Sequence, residues 1–154
     1  MTPESPPKKE NSMHARDLMS KTLVTVPPAT SVVEARALMT RARIRHLLVV
    51  DDKKLVGVIT DRDIRLNLPS PATSLSVWEL NYLIARVTVA ELMTKSVIVV
   101  DPDRDIRDAA RIMLEHKIGA LPVLDGEQLV GILTETDLLR AFAAREAAPV
   151  GVPA

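Results

Sequence analysis

Two short stretches of this chain carry the residue types that can hold a small polar ligand: Thr60-Asp61-Arg62-Asp63 and Thr134-Glu135-Thr136-Asp137. Each follows an apolar run that ends in Gly57-Val58-Ile59 or Gly131-Ile132-Leu133, and each precedes a helix-forming segment. Each Thr therefore stands where a strand hands over to a helix. A Thr at a helix N-cap leaves unpaired backbone amides at the helix start, where the helix dipole favours an anion such as a phosphate. The carboxylate three residues on, Asp63 or Asp137, is placed to accept two hydrogen bonds from the diol of a ribose. Hydroxyl, amides and carboxylate together make a ribose-phosphate cradle. The same Thr-x-x-Asp spacing also makes an ordinary helix cap that needs no ligand. Its recurrence, each time after Leu-Val-Gly, favours the functional reading.

Both stretches belong to a longer repeat. Asp17-Leu18-Met19 returns as Glu91-Leu92-Met93, Leu55-Val56-Gly57 as Leu129-Val130-Gly131, and Thr60 with Asp63 as Thr134 with Asp137, always 74 positions on and without a gap. Val26 and Val100, Ala35 and Ala109, Met39 and Met113, and Leu47 and Leu121 keep the same offset. The chain is a duplicated unit. Each copy reads β-α-β-β-α. Val24-Thr25-Val26 is a short strand ended by Pro27-Pro28. Ser31-Val32-Val33-Glu34 reads as a capping box, and Val32, Ala35 and Met39 form the buried stripe of the helix that follows. Asp105, Ile106, Ala109 and Met113 repeat that pattern. Two apolar strands around Asp51-Asp52-Lys53-Lys54, and two more around Asp125-Gly126-Glu127-Gln128, lead to the second helix of each copy. A unit this small cannot bury its apolar sheet face alone, so the copies are expected to share a core.

The expected layout is a disordered tail over 1–12, a first repeat over 13–68, a connector over 69–88, a second repeat over 89–145 and a tail over 146–154. Leu68-Pro69-Ser70-Pro71 stops the first repeat's last helix. Ser76-Val77-Trp78-Glu79 reads as another capping box, with Val77, Leu80, Ile84 and Val87 at near-helical spacing behind it. This extra helix is expected to cover one end of the repeats or to form an oligomer contact. Trp78 and Tyr82, the only Trp and Tyr, are expected to pack onto their own domain.

Composition narrows the function classes. Hydrophobic residues make up 47% and aromatics 2%, so the core is aliphatic. The absence of cysteine removes thiolate chemistry and disulfides. Twenty basic residues balance twenty acidic ones, which argues against general nucleic-acid binding, with only Arg41, Arg43 and Arg45 as a local basic patch. No apolar run spans a bilayer and no signal peptide is legible, so a cytoplasmic location and no membrane partner are expected. The glycines at 57, 119, 126, 131 and 151 spell no dinucleotide or P-loop fingerprint, and His14, His46 and His116 have no metal-ligand spacing. Asp101-x-Asp103-x-Asp105 begins like a calcium loop but has Ile106 where glycine is needed and Ile112 where glutamate is needed. No catalytic constellation and no metal site are expected.

With these residues in view, the chain resembles tandem cystathionine-β-synthase-type (CBS) repeats. Leu55 to Ile64 looks like their closing motif, Asp17-Leu18-Met19 and Glu91-Leu92-Met93 like their openings, and Ile118 to Asp125 like the strand leading to the hairpin. The connector, with Glu79-Leu80-Asn81-Tyr82-Leu83, is similar to that of acetoin-utilisation accessory CBS proteins. Longer members carry a C-terminal ACT domain, which this chain is expected to lack. The resemblance implies an α/β fold of two β-α-β-β-α repeats packed sheet to sheet about a pseudo-twofold axis. It also implies clefts that take AMP, ADP or ATP, or S-adenosylmethionine or a dinucleotide. Carried over by position, Asp63 and Asp137 would hold ribose hydroxyls and Thr60 and Thr134 would lie near phosphate. Thr25, Val26, Val99 and Val100 would border the base, while Arg45-His46 and Gly119-Ala120 stand at equivalent places. Because Arg45 and His46 bring donors and Gly119 and Ala120 bring only room, the two sites are expected to be unequal. The resemblance further implies a homodimer, a regulatory role without catalysis, and an effector on another protein. The alternative is a ligand-free dimerisation platform.

Overall fold

The computed structural model describes residues 12–68 and 74–144. The expected tails, apart from residue 12, and the proline stop over 69–71 lie outside the described residues. In chain order the elements are α1 (Ala15–Leu18), β1 (Thr25–Val26), α2 (Val32–Ala42), β2 (His46–Asp51), β3 (Lys54–Thr60), α3 (Asp61–Asn67), α4 (Val77–Ala85), α5 (Val89–Leu92), α6 (Ile106–His116), β4 (Ala120–Asp125), β5 (Gln128–Thr134) and α7 (Glu135–Ala144). They gather into two compact units. One, the first-repeat unit, holds Thr22–Ile98 with Glu127–Leu129. The other, the second-repeat unit, holds the segment ending at Lys21, Val99–Gly126, and the segment from Val130 onward.

In the first-repeat unit, β1 runs parallel to β2 and β2 antiparallel to β3. Thr25 lies opposite Leu48, Val26 opposite Val49, Leu47 opposite Ile59, and His46 opposite Thr60. Strand alternation sends Val26, Leu47, Val49 and Ile59 to one face. There they meet Val32, Ala35 and Met39 of α2, Ile64 of α3 and Val89 of α5 in a single buried cluster. Each Val, Leu, Ile or Met side chain among them contributes about 1.5–3 kcal/mol when fully buried. Thr25, His46, Leu48 and Thr60 fall on the opposite face by the same alternation. Ser31 caps α2 by accepting from the Glu34 amide at 3.1 Å. The reciprocal half of the expected box is not formed; Ser31 instead bridges Thr88 in antiparallel fashion. The helix ends on Arg43, left-handed at φ 56°, a conformation that costs a non-glycine residue about 1–2 kcal/mol.

The connector helix α4 forms as expected, with Ser76 and Glu79 capping each other at 3.1 and 3.2 Å. Its aromatic residues do not pack as expected: Trp78 is 84% and Tyr82 59% exposed. Leu80 and Ile84 are the half-buried positions, and a residue two places earlier points about 200° away around a helix. The Tyr82 ring instead takes the Arg86 guanidinium at 4.7 Å from its centroid.

In the second-repeat unit, Ala15, Ala109, Met113, Leu121, Val123 and Leu133 are buried, and Asp105 caps α6 through the Arg107 amide at 2.8 Å. Gly126 turns β4 into β5 at φ 63°. The expected first strand is reduced to one parallel bridge, Val100 to Val123. The reason is Pro122. In the first repeat the Leu48 amide donates to the Val24 carbonyl at 3.4 Å; Pro122 occupies the matching position and has no N–H to donate.

Each unit contains the opening segment of the other repeat. In the second-repeat unit the Ala15 amide donates to Arg104 O at 2.8 Å, Ile106 N to Met13 O at 3.1 Å, and Ser20 bridges Ile132. Arg16 also pairs with Asp103. In the first-repeat unit Val89 N donates to Thr30 O at 2.8 Å, and Thr94 bridges Val58. The recurring glycines sit at these contacts. A Cβ on Gly57 would lie 2.5 Å from the Met93 sulfur, and one on Gly131 would collide with the Met19 sulfur and stand 3.0 Å from Ser20 O. The Leu-Met opening and the Leu-Val-Gly closing are thus two halves of one contact, made with the other copy. No helix among the described residues is long and apolar enough to cross a membrane.

Candidate functional site

The handover from strand to helix happens where the sequence places it. Thr60 is the last residue of β3 and the cap of α3; Thr134 is the last residue of β5, directly before α7. At the first, Thr60 N donates to Asp63 Oδ2 at 2.9 Å and Asp63 N to Thr60 Oγ1 at 3.1 Å. At the second, Thr134 N donates to Asp137 Oδ2 at 2.8 Å and Asp137 N to Thr134 Oγ1 at 3.3 Å. The ordinary cap is fully made at both ends.

That corrects the expected set of outward amides. Asp61 N is taken by Arg45 O at 3.1 Å and Glu135 N by Gly119 O at 3.0 Å, while the third amide of each helix is taken by its own Thr. Only the Arg62 and Thr136 amides have no partner among the described residues. Each first turn also carries two carboxylates, Asp61 with Asp63 and Glu135 with Asp137. A phosphate placed there would meet those charges. What the junction offers outward is acceptor capacity: Oδ2 is committed to the cap, and Oδ1 of each Asp accepts no hydrogen bond among the described residues. A carboxylate oxygen with free lone pairs suits hydroxyl donors such as a ribose diol. No group of three or more His, Asp or Glu among the described residues is arranged to hold a metal.

The two junctions differ in three ways. The Thr134 hydroxyl donates to Asp137 Oδ2 at 2.9 Å, whereas the Thr60 hydroxyl has no acceptor among the described residues. Asp137, 15% exposed, faces the Arg140 guanidinium at 3.8 Å from its Oδ1; Leu66 occupies the matching place in α3. Around the first junction stand Arg45 and Arg62, both exposed and without an ion pair among the described residues. Gly119 and Thr136 take their places at the second.

Of the other residues singled out, Arg45 and His46 lie beside Thr60 and Asp61, since His46 pairs with Thr60 across the ladder. Thr25 lies on the same face, one pleat further along, about 7 Å on the neighbouring strand. Gly119 and Ala120 lie beside Thr134 and Glu135 in the same way. Ala120 is 8% exposed and leaves a small footprint. Val99 is 38% exposed. Val26 and Val100 are brought to their strands but are buried, and Val26 belongs to the helix-side core, so its side chain is turned from the Thr25 face. Arg62 and Arg140 were not among the expected site residues. The signal that finds them is the break in the repeat, Arg62 against Thr136 and Leu66 against Arg140.

Comparison with known proteins matches the family described as CBS domain to residues 15–70 and again to 89–144. CBSX2, a CBS domain-containing chloroplastic protein of Arabidopsis thaliana, is 37% identical over 159 aligned positions, covering 89% of this chain and 66% of CBSX2. The chain thus spans just under two thirds of that relative's length. The crystal structure of CBSX2 in complex with AMP superimposes with a TM-score of 0.70 at 38% identity, covering 84% of this chain and 96% of the other. The CBS domain pair of protein MJ0100, in complex with 5′-methylthioadenosine and S-adenosyl-L-methionine, gives 0.72 at 28% identity over 88% of this chain and all of its own. A putative acetoin utilization protein (AcuB) from Vibrio cholerae gives 0.71 at 29% identity, over 86% and 92%.

Proposed function

Since the chain belongs to the CBS domain family, with two repeats, we propose that it is a regulatory module that binds an adenine nucleotide of the AMP, ADP or ATP class. The observation that carries the reading is the pair of Thr-x-x-Asp junctions. Each presents an Oδ1 that accepts no hydrogen bond among the described residues, with Arg140 standing 3.8 Å from that of Asp137; Thr25 shares the sheet face of Thr60, and Val99 is exposed in the second unit. Asp63 and Asp137 hold the ribose hydroxyls, and the base lies along Thr25 or Val99. The phosphate is met by Arg45 and Arg62 at the first junction, because of the first three helix amides there only that of Arg62 is left without a partner among the described residues. The second junction has no such pair of arginines, and it suits an adenosyl ligand with less negative charge, such as S-adenosylmethionine. Support for the ligand class comes from the AMP of the CBSX2 structure and the adenosyl ligands of the MJ0100 structure.

Binding at such junctions regulates by linkage: the ligand shifts an equilibrium only by its difference in affinity for the two states. The shift is transmitted through a homodimer to an effector protein. A ligand-free dimerisation platform is the second reading, favoured by the fact that each Thr and Asp pair already completes an ordinary helix cap. A thermal-shift panel of AMP, ADP, ATP, NAD and S-adenosylmethionine on nucleotide-stripped protein separates the two. A true ligand at a hundred times its Kd adds about 2.7 kcal/mol, or about 5–10 °C in midpoint for a chain of this size. A flat panel supports the platform and removes the sensor.

A further inference from the structure

Positive charge is distributed unevenly between the two junctions. Arg41 stands in the last turn of α2, Arg43 ends that helix, Arg45 precedes β2, and Arg62 lies in the first turn of α3. The start of β2 faces the end of β3, with His46 opposite Thr60, and Asp61 N donates to Arg45 O at 3.1 Å. All four arginines therefore belong to one end of the first-repeat unit. Ile44, between Arg43 and Arg45, packs against the buried cluster and leaves both to solvent. Arg41 and Arg62 are exposed as well. None of the four makes an ion pair among the described residues, whereas Arg16, Arg65, Arg104, Arg111 and Arg140 each face a carboxylate. The nearby acidic groups are engaged elsewhere: Asp61 pairs with Arg65 at 2.9 Å, and Asp63 Oδ2 serves the cap.

The fold itself does not require this charge. At the same places in the second repeat stand Glu115, Lys117, Gly119 and Thr136, one negative and one positive charge. The carboxyl end of a helix favours a cation, which accounts for Lys117 after α6 and for one arginine after α2. Four guanidinium groups at one end go beyond that need, and like charges without counter-charges repel. We infer that the first junction takes a polyphosphate nucleotide, a nucleoside triphosphate in preference to a monophosphate. Arg45 and Arg62 meet the phosphate next to the ribose, and Arg41 and Arg43 meet the phosphates beyond it. A single phosphate carries about −1.5 to −2 charges, so the first two arginines already balance it. A longer chain adds charge as it leads away from the ribose, where the other two stand. The arginine fork suits pairs of phosphate oxygens. The inference rests on the preceding reading, which places ribose and first phosphate at this junction, and adds the identity of the ligand's tail.

Isothermal titration of the full chain with adenosine, AMP, ATP and inorganic tripolyphosphate, without magnesium, tests it. ATP is expected to bind about tenfold tighter than AMP at low salt, with the margin narrowing as salt rises. Tripolyphosphate alone is expected to bind more weakly than ATP and to compete with it. Arg41→Gln with Arg43→Gln removes the ATP margin and leaves AMP affinity as it was, while Arg41→Lys with Arg43→Lys keeps most of it. Arg36→Gln with Arg107→Gln makes the same change of charge at two other exposed arginines and leaves the margin intact. Equal affinities for AMP and ATP, a margin that survives Arg41→Gln with Arg43→Gln, or tripolyphosphate binding as tightly as ATP overturns the inference while AMP binding stands. Absence of binding by adenosine, AMP and ATP alike removes the nucleotide reading, and this inference with it.

Discussion

Asp63→Asn separates the two tasks of the carboxylate at the start of α3. In the native chain Oδ2 accepts from Thr60 N at 2.9 Å while Oδ1 is left for a ligand. The amide oxygen of Asn keeps the first contact, so the cap survives. What folding loses is the negative charge near the helix N-terminus, about 0.3–1 kcal/mol. On the outward side a charged acceptor becomes a neutral donor. A hydrogen bond to a charged group is worth about 1.5–3 kcal/mol, so AMP binding should weaken by about ten- to a hundredfold. Isothermal titration with AMP and urea unfolding, run on the same preparations, read the two effects independently. An unchanged Kd in a folded variant would refute the assignment of the ribose to this carboxylate. A loss of stability above about 2 kcal/mol would refute the capping account.

Three further substitutions test the surrounding argument. Gly131→Ala puts a Cβ against the Met19 sulfur and 3.0 Å from Ser20 O and should destabilise by about 1–3 kcal/mol in urea unfolding; a neutral result would mean that the opening segment gives way freely. Lys117→Gly removes a left-handed lysine at φ 54° and should stabilise by about 0.5–1 kcal/mol after the added freedom of the unfolded chain is counted, read as a higher urea midpoint. Arg62→Ala should reduce the preference for AMP over adenosine about tenfold while adenosine affinity holds; equal losses for both ligands would place Arg62 away from the phosphate.

Much of the fold is legible in one line of sequence because its signals are local. The constant offset between Asp63 and Asp137, the buried stripe of Val32, Ala35 and Met39, and the mutual cap of Ser76 and Glu79 all depend on near neighbours. The exchange of opening segments is not local. Met19 and Met93 are equivalent letters in a repeat, and nothing in their types says which glycine each covers. The shortened first strand of the second repeat follows from a single residue, Pro122 opposite the place of Leu48, whose meaning emerges only once the parallel pairing of β1 with β2 is known. Helix termini hold a similar lesson. Thr-x-x-Asp marks the right residues, but how many amides remain free depends on carbonyls brought from Arg45 and Gly119 by the strand ahead of each hairpin. Trp78 departs from expectation because periodicity decides which positions of α4 face inward, and the aromatic residues are two places off that stripe.

The most direct test of the account is a crystal structure of the chain grown with saturating AMP. The account predicts density with both ribose hydroxyls within hydrogen-bonding distance of Asp63 Oδ1 and the phosphate beside Arg45 and Arg62. AMP bound away from Asp63 and Asp137, or no AMP in crystals grown at concentrations that saturate a millimolar site, would contradict it.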